Sequence, residues 1–169
     1  MESLRELQRL FAGMSGPTPE QLQRAVQSYR FSPAFAETYV TEPESLPYGK
    51  NILWTTDAIQ AVVIHLPANS STFIHDHGES VGCALVLEGT IVNTEYDAVT
   101  EGLAARISAE EVPAGGFFHA DKNQVHRMSN PSDRRAISFH VYSPPLQGAR
   151  VYQEAAAVKG KESVSAFAD

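Results

Sequence analysis

His75 and His77 stand one residue apart at the end of a β-branched stretch, Ser71-Thr-Phe-Ile-His75. Alternation along a strand sends both imidazoles from one face, as two neighbouring ligands of a single metal ion require. A bare His-x-His arises by chance on half-buried strands, so its context decides. His126 lies on a later strand segment, followed four residues on by Asn130, and offers a third imidazole. Ser138, His140 and Tyr142 alternate on another strand and therefore share a face, and Ser143-Pro144-Pro145 ends it. Such a polar stripe inside a core is costly unless its members bond to one another or to a bound group, so it reads as a relay. Two further histidines take no role. His65 shares its strand with Val63, at odd positions expected to face the interior, and His119 follows Phe117-Phe118.

The elements that must position these side chains fall into two zones. Leu4, Leu7, Leu10 and Phe11 recur at helical spacing, and Thr18-Pro19-Glu20-Gln21 supplies an N-cap with Pro at N1 before Leu22, Ala25 and Val26. Two helices of about three turns each are predicted within residues 1–30. From about residue 38 the period changes. Strands are predicted at Ala61–Leu66, Ser71–His75, Ala84–Leu87, Thr90–Tyr96, Ala104–Ile107, Gly116–His119, Gln124–Met128 and Ala136–Tyr142. Gly89 is expected to close a tight Leu-Glu-Gly-Thr hairpin, and Pro113-Ala-Gly115 to introduce the region leading to His126. Many short strands without interleaved helices predict an antiparallel sandwich or small barrel over 38–150. Residues 154–169 are expected to form a tail or short helix, closing a single domain over 1–169.

At 169 residues the chain can bury one sizeable core, and 43% hydrophobic with 20% charged residues describes a soluble globule. Thirteen Lys plus Arg against 20 Asp plus Glu give a formal charge of −7, so the protein's own field opposes nucleic acid and anionic lipid. No nucleic-acid or membrane partner is expected. A single cysteine, Cys83, excludes an internal disulfide and suits a reducing compartment. With no apolar core in MESLRELQRLF to act as a signal peptide, a cytoplasmic location is expected.

The His-x-His pair, the following glycine turn and the later His126 resemble the two bipartite motifs of the cupins, small jelly-roll-like β-barrels that hold a metal between their strands. The resemblance implies a mainly β fold, a small cupin barrel preceded by the two helices. Cupins commonly carry a glutamate four or five residues after the second histidine, where this chain has Val81 and Gly82. A neutral three-His face leaves open positions on a mid-row metal, and Fe(II) uses such positions for substrate and oxygen. His-Asp-His-Gly at 75–78, Leu-Glu-Gly at 87–89, Val-His-Arg at 125–127, Asn-Pro-Ser at 130–132 and Ser-Phe-His-Val-Tyr-Ser-Pro-Pro-Leu at 138–146 together resemble the cysteine dioxygenase family of thiol dioxygenases.

That resemblance implies Fe(II) held by His75, His77 and His126, a relay of Ser138, His140 and Tyr142, and a small thiol carboxylate and O2 as substrates. Conversion of L-cysteine to cysteine sulfinic acid is the implied reaction. A monomer is expected, with a homodimer as the alternative. The resemblance also implies a cis Ser143–Pro144 bond. Animal members place at the position of Gly82 a cysteine joined by a thioether to the tyrosine matching Tyr142, so this chain resembles the bacterial type without the cross-link. Cys83, one residue on, should face away from Tyr142. Lys50, in Tyr48-Gly49-Lys50-Asn51, stands where the family usually has an arginine on the substrate carboxylate; with Tyr48 it is the expected substrate clamp, keeping the charge and losing the bidentate fork. Oxidation of 3-mercaptopropionate or another small thiol, modification of N-terminal cysteines, and a non-catalytic metal-binding cupin are the alternatives.

Overall fold

The computed structural model describes residues 4–156; the expected tail beyond 156 lies outside the described residues. Three helices, α1 (Leu4–Arg9), α2 (Pro19–Gln27) and α3 (Pro33–Tyr39), precede eleven strands. These are β1 (Gly49–Thr55), β2 (Gln60–Leu66), β3 (Ser70–Ser71), β4 (Ile74–His75), β5 (Val81–Glu88) and β6 (Thr90–Thr100), followed by β7 (Leu103–Pro113), β8 (Phe117–Ala120), β9 (Val125–Asn130), β10 (Ala136–Ser143) and β11 (Val151–Glu154). One sheet runs β1-β2-β10-β5-β8 and the other β3-β9-β4-β11-β7-β6, with β6 also paired to β9. Apart from the parallel β11–β7 contact, the pairings are antiparallel. This is the mainly β barrel that the strand pattern predicts.

The two faces of the first sheet do different work. Val62, Ile64, Leu66, Ala84 and Val86 turn inward and meet Ile91, Val112 and Met128 of the second sheet. Ala61, Val63, Cys83, Ile137, Phe139 and Val141 turn outward, where Leu7, Phe11, Leu22, Val26 and Phe35 of the helical segment cover them. All eight residues of β10 are buried in consequence.

Local chemistry explains the helices. α2 starts with a reciprocal capping box: Gln21 N–H donates to Thr18 Oγ1 (3.3 Å) and Thr18 N–H to Gln21 Oε1 (2.8 Å), with Pro19 preset for the first turn. α1 is shorter than expected, at six residues. α3 is an element the sequence reading omits, and its Ser32-Pro33 start repeats the Thr18-Pro19 signal. Its Phe35 and Tyr39, one turn apart, pack with ring centroids 4.8 Å from each other.

Three expectations about the strands are corrected. Gly89, at φ +76°, does not close a hairpin: β5 lies in one sheet and β6 in the other, so the turn carries the chain between sheets. Odd positions of β2 face the helices rather than the interior, which places His65 outside the barrel, its Nδ1 3.0 Å from the Thr41 carbonyl. Ser71–His75 is not one strand but two short ones, broken at Thr72-Phe73.

Candidate metal and substrate site

His75 closes β4, His77 lies just past it, and His126 is paired across from His75 in β9. The three rings converge with centroids 4.8–4.9 Å apart, and one nitrogen from each lies within 4.8 Å of the others. Their other nitrogens explain the orientation. His75 Nδ1 sits 2.8 Å from the Phe73 carbonyl, and His126 Nδ1 sits 2.8 Å from the Asn93 side-chain oxygen. An acceptor oxygen at each Nδ1 requires Nδ1–H there, so each Nε2 turns a lone pair inward. His75 Nε2 meets His77 Nε2 at 3.1 Å, while His126 Nε2 is buried without a protein partner among the described residues. His77 Nδ1 is likewise buried without a protein partner among the described residues, so no hydrogen bond fixes its tautomer. With its proton on Nδ1, all three Nε2 lone pairs converge on one space that fits a cation, and the carbonyl and amide oxygens behind His75 and His126 are the orienting partners that metal-bound histidines require. Asn93 escapes the sequence reading. Its signal is a strand-disfavoured, buried asparagine in the middle of β6.

Burial keeps these rings uncharged. His75 and His126 are held below the ordinary histidine range mainly by loss of solvent, and His77 falls to about 3 from the same cause, reinforced by neighbouring His75 and His140. Neutral imidazole is the form that ligates.

Beside the cluster runs the stripe of β10. Ser138 Oγ lies 2.7 Å from His140 Nε2, and His140 Nδ1 lies 3.1 Å from Tyr142 Oη. All three are buried, Ser138 completely. A neutral imidazole donates from one nitrogen and accepts at the other, so the chain has one direction at a time. Burial, with smaller contributions from His75 and Lys50, puts His140 at about 3 and leaves it neutral. Burial also raises the Tyr142 phenol, which stays protonated and able to donate. The Tyr142 ring centroid is 4.9 Å from that of His77, which joins the stripe to the metal-capable cluster.

Register explains why Tyr142 fits. Gly82 of β5 pairs with Tyr142, and a Cβ at Gly82 would lie 2.6 Å from Tyr142 Cδ1. Cys83 pairs with Val141 and packs among the residues beneath the helices, facing away from Tyr142 as expected. The Ser143–Pro144 bond that follows is cis.

A cavity of about 290 Å³ opens on this assembly, lined by His75, His77 and Tyr142 together with Val62, Ile64 and Met128. Tyr48, just before β1, and Lys50, in it, also line the cavity; His126, Ser138 and His140 are not in its lining and connect to it through their contacts with His75, His77 and Tyr142. Tyr48 is half-buried; Lys50 is exposed at the rim and makes no ion pair among the described residues. Gly49 lets this segment run tightly against the neighbouring loop, since a Cβ there would collide with the Thr41 carbonyl. His119, given no role, bonds to Gln23 at 2.6 Å, away from the cavity.

The model of the family described as cysteine dioxygenase type I matches residues 10–155. The cysteine dioxygenase type 1 of Rattus norvegicus is 23% identical over 167 residues, spanning 96% of this chain and 82% of that protein. Among solved structures, a protein with a double-stranded β-helix domain from Klebsiella pneumoniae superposes with TM-score 0.58 at 20% identity, covering 75% of this chain and 93% of that one. A recombinant oxalate oxidase in complex with glycolate gives TM-score 0.57 at 12% identity, over 75% of this chain and 67% of that one. These two likenesses concern the fold, which is that of the cupins, while the family match runs through all three histidines and the β10 stripe: the chain belongs to the cysteine dioxygenase family.

Proposed function

We propose that the protein is a thiol dioxygenase that holds Fe(II) through His75, His77 and His126 and oxidises a small thiol carboxylate, L-cysteine first among them, to its sulfinic acid. The carrying observation is the convergence of three imidazole nitrogens, within 4.8 Å of one another, beside a small cavity that also presents a phenol and a lone ammonium. Bound iron would supply the redox chemistry that adds both atoms of dioxygen to the thiol sulfur, R–SH + O2 giving R–SO2H.

The protein's own part is binding, orientation and exclusion of water. Lys50, with Tyr48 beside it, binds the carboxylate. Tyr142 donates its phenolic proton toward the reacting group while its oxygen accepts from His140 Nδ1–H, and Ser138 donates to His140 Nε2, so the stripe holds one donor direction. Val62, Ile64, Met128 and Leu146 keep the surroundings apolar, where each polar contact is stronger. The three imidazoles need no proton removed to act as ligands. A thiol substrate and a single unpaired thiol, Cys83, both suit a reducing compartment such as the cytoplasm.

One observation favours a second substrate. Among the described residues no carboxylate lines the cavity, so none there pairs with the ammonium of L-cysteine, and 3-mercaptopropionate needs no such partner. Oxygen uptake by the iron-loaded protein over L-cysteine, 3-mercaptopropionate and cysteamine tests both. The two acids should drive uptake, with cysteamine weakest; the ratio between the acids names the substrate. Absence of uptake with every thiol would overturn the proposal.

A further inference from the structure

Asp76, between the two strand-end histidines, has no part in the reaction above, yet among the described residues it is the one acidic side chain in the buried set, at 0% exposure. Strand alternation turns it away from His75 and His77. Its Oδ1 accepts from the backbone N–H groups of Gly78 and Arg150, both at 3.1 Å. Its Oδ2 accepts from Tyr152 Oη at 2.7 Å and from Arg150 Nε at 2.9 Å. Four donors therefore saturate two oxygens, and three of the four belong to residues more than seventy positions later. The Asp76 N–H donates in turn to the Arg150 carbonyl at 3.1 Å.

Each end of this staple holds part of the site. On one side are the two flanking histidines. β4, which carries the first, is two residues long; it meets β9 at the single pair His75–His126 and β11 at two, His75–Val151 and Ile74–Tyr152, and the ladder ends there, before His77. On the other side Leu146, Ala149 and Val151 form cavity wall. Charge-assisted bonds to a desolvated carboxylate are short and directional, which suits them to fixing geometry just past the end of this short ladder.

We propose that Asp76, gripped by Arg150 and Tyr152, is a positioning residue that holds His75 and His77 at ligand spacing and fixes the 146–151 wall in the same act, coupling metal affinity to substrate binding. The inference rests on the three-histidine reading of the metal site. The test is a titration of the metal-free full-length protein with Co(II), read by its d–d absorption, in the wild type, Asp76→Asn, Tyr152→Phe and Arg150→Gln. Each variant should bind Co(II) about tenfold or more weakly, within the range seen when such supporting partners are lost. Each should also show altered d–d bands and, once iron-loaded, a KM for the thiol raised by a larger factor than kcat falls. If Asp76→Asn does not fold, Tyr152→Phe and Arg150→Gln decide the matter by the same readings. Folded variants with wild-type Co(II) affinity and spectrum, whatever their melting temperature, would reduce Asp76 to a stability anchor and overturn this inference alone. A wild type that takes up no Co(II) would overturn the three-histidine reading and this inference with it.

Discussion

Replacing Gly82 by alanine tests the register that aims Tyr142 into the site. The new Cβ would lie 2.6 Å from Tyr142 Cδ1, 2.9 Å from Cε1 and 2.9 Å from the Val141 carbonyl oxygen, against an ordinary carbon–carbon contact of about 3.5–4.0 Å. The ring or the strand must therefore yield by roughly an ångström. Neither has room: β10 is buried along its whole length, and the ring lies 4.9 Å from His77 and stacks on His140 at 5.9 Å. Overpacking of this kind costs about 1–3 kcal/mol, which in a chain of this size lowers the melting temperature by roughly 2–4 °C per kcal/mol. Displacing the phenol also strains its 3.1 Å bond to His140, and a misplacement on that scale can cost about a hundredfold in rate. Thermal melting and kcat/KM for a carboxylate thiol, measured side by side, read both effects. Cys83→Ala is the control: its side chain points toward the helices, so stability falls modestly and kcat/KM stays near wild type. Wild-type melting and efficiency in Gly82→Ala, or a collapse of activity in Cys83→Ala, would show that the register argument is wrong.

Below neutrality the metal-free protein should lose stability. His77 and His140 have folded-state pKa values of about 3, set chiefly by burial, against an ordinary 6.5. The unfolded chain thus takes up protons that the folded one refuses; stability is intact above pH 6.5 and is lost progressively from there toward pH 3. Denaturant midpoints at successive pH values check this, and a flat profile through the window would contradict it. Lys50→Ala should raise KM for carboxylate thiols about five- to tenfold, since an exposed rim ammonium is worth less than the 1.5–3 kcal/mol of a buried charged bond. Cysteamine turnover should not respond, and an unchanged KM for every acid would place the carboxylate elsewhere. Burial pushes the Cys83 thiol up to about 12, so an aromatic disulfide reagent should label it only after unfolding; rapid labelling of the native protein would contradict its place in the core.

The parts of the fold legible in the sequence are those whose signal is local. The Thr18-Pro19 cap, the β-branched runs of β2 and β10, and the alternation of Ser138, His140 and Tyr142 all read from neighbours within a few residues. Face assignment does not, because β2 and β10 are covered on both sides and burial no longer alternates; hence His65 falls outside the barrel. Gly89 shows the same limit, since a left-handed glycine turns the chain equally well into a hairpin or across to a second sheet, and only distant pairing decides. β1 is masked by its Ile52-Leu53-Trp54 run, where the register slips. β11 and Asp76 are partners across more than seventy residues, and Asn93 supports His126 from another strand, so a strand-disfavoured asparagine marks the one support while nothing local names the partner of either.

The most direct measurement of the central claim is the fate of labelled dioxygen. Iron-loaded wild-type protein, given a thiol carboxylate under 18O2, should consume oxygen and thiol in equal amounts and form a sulfinic acid carrying both labelled atoms, with iron bound at one per chain and lost in His126→Ala. A disulfide as sole product, a sulfinate labelled from water, or full activity in His126→Ala would contradict the three-histidine thiol dioxygenase.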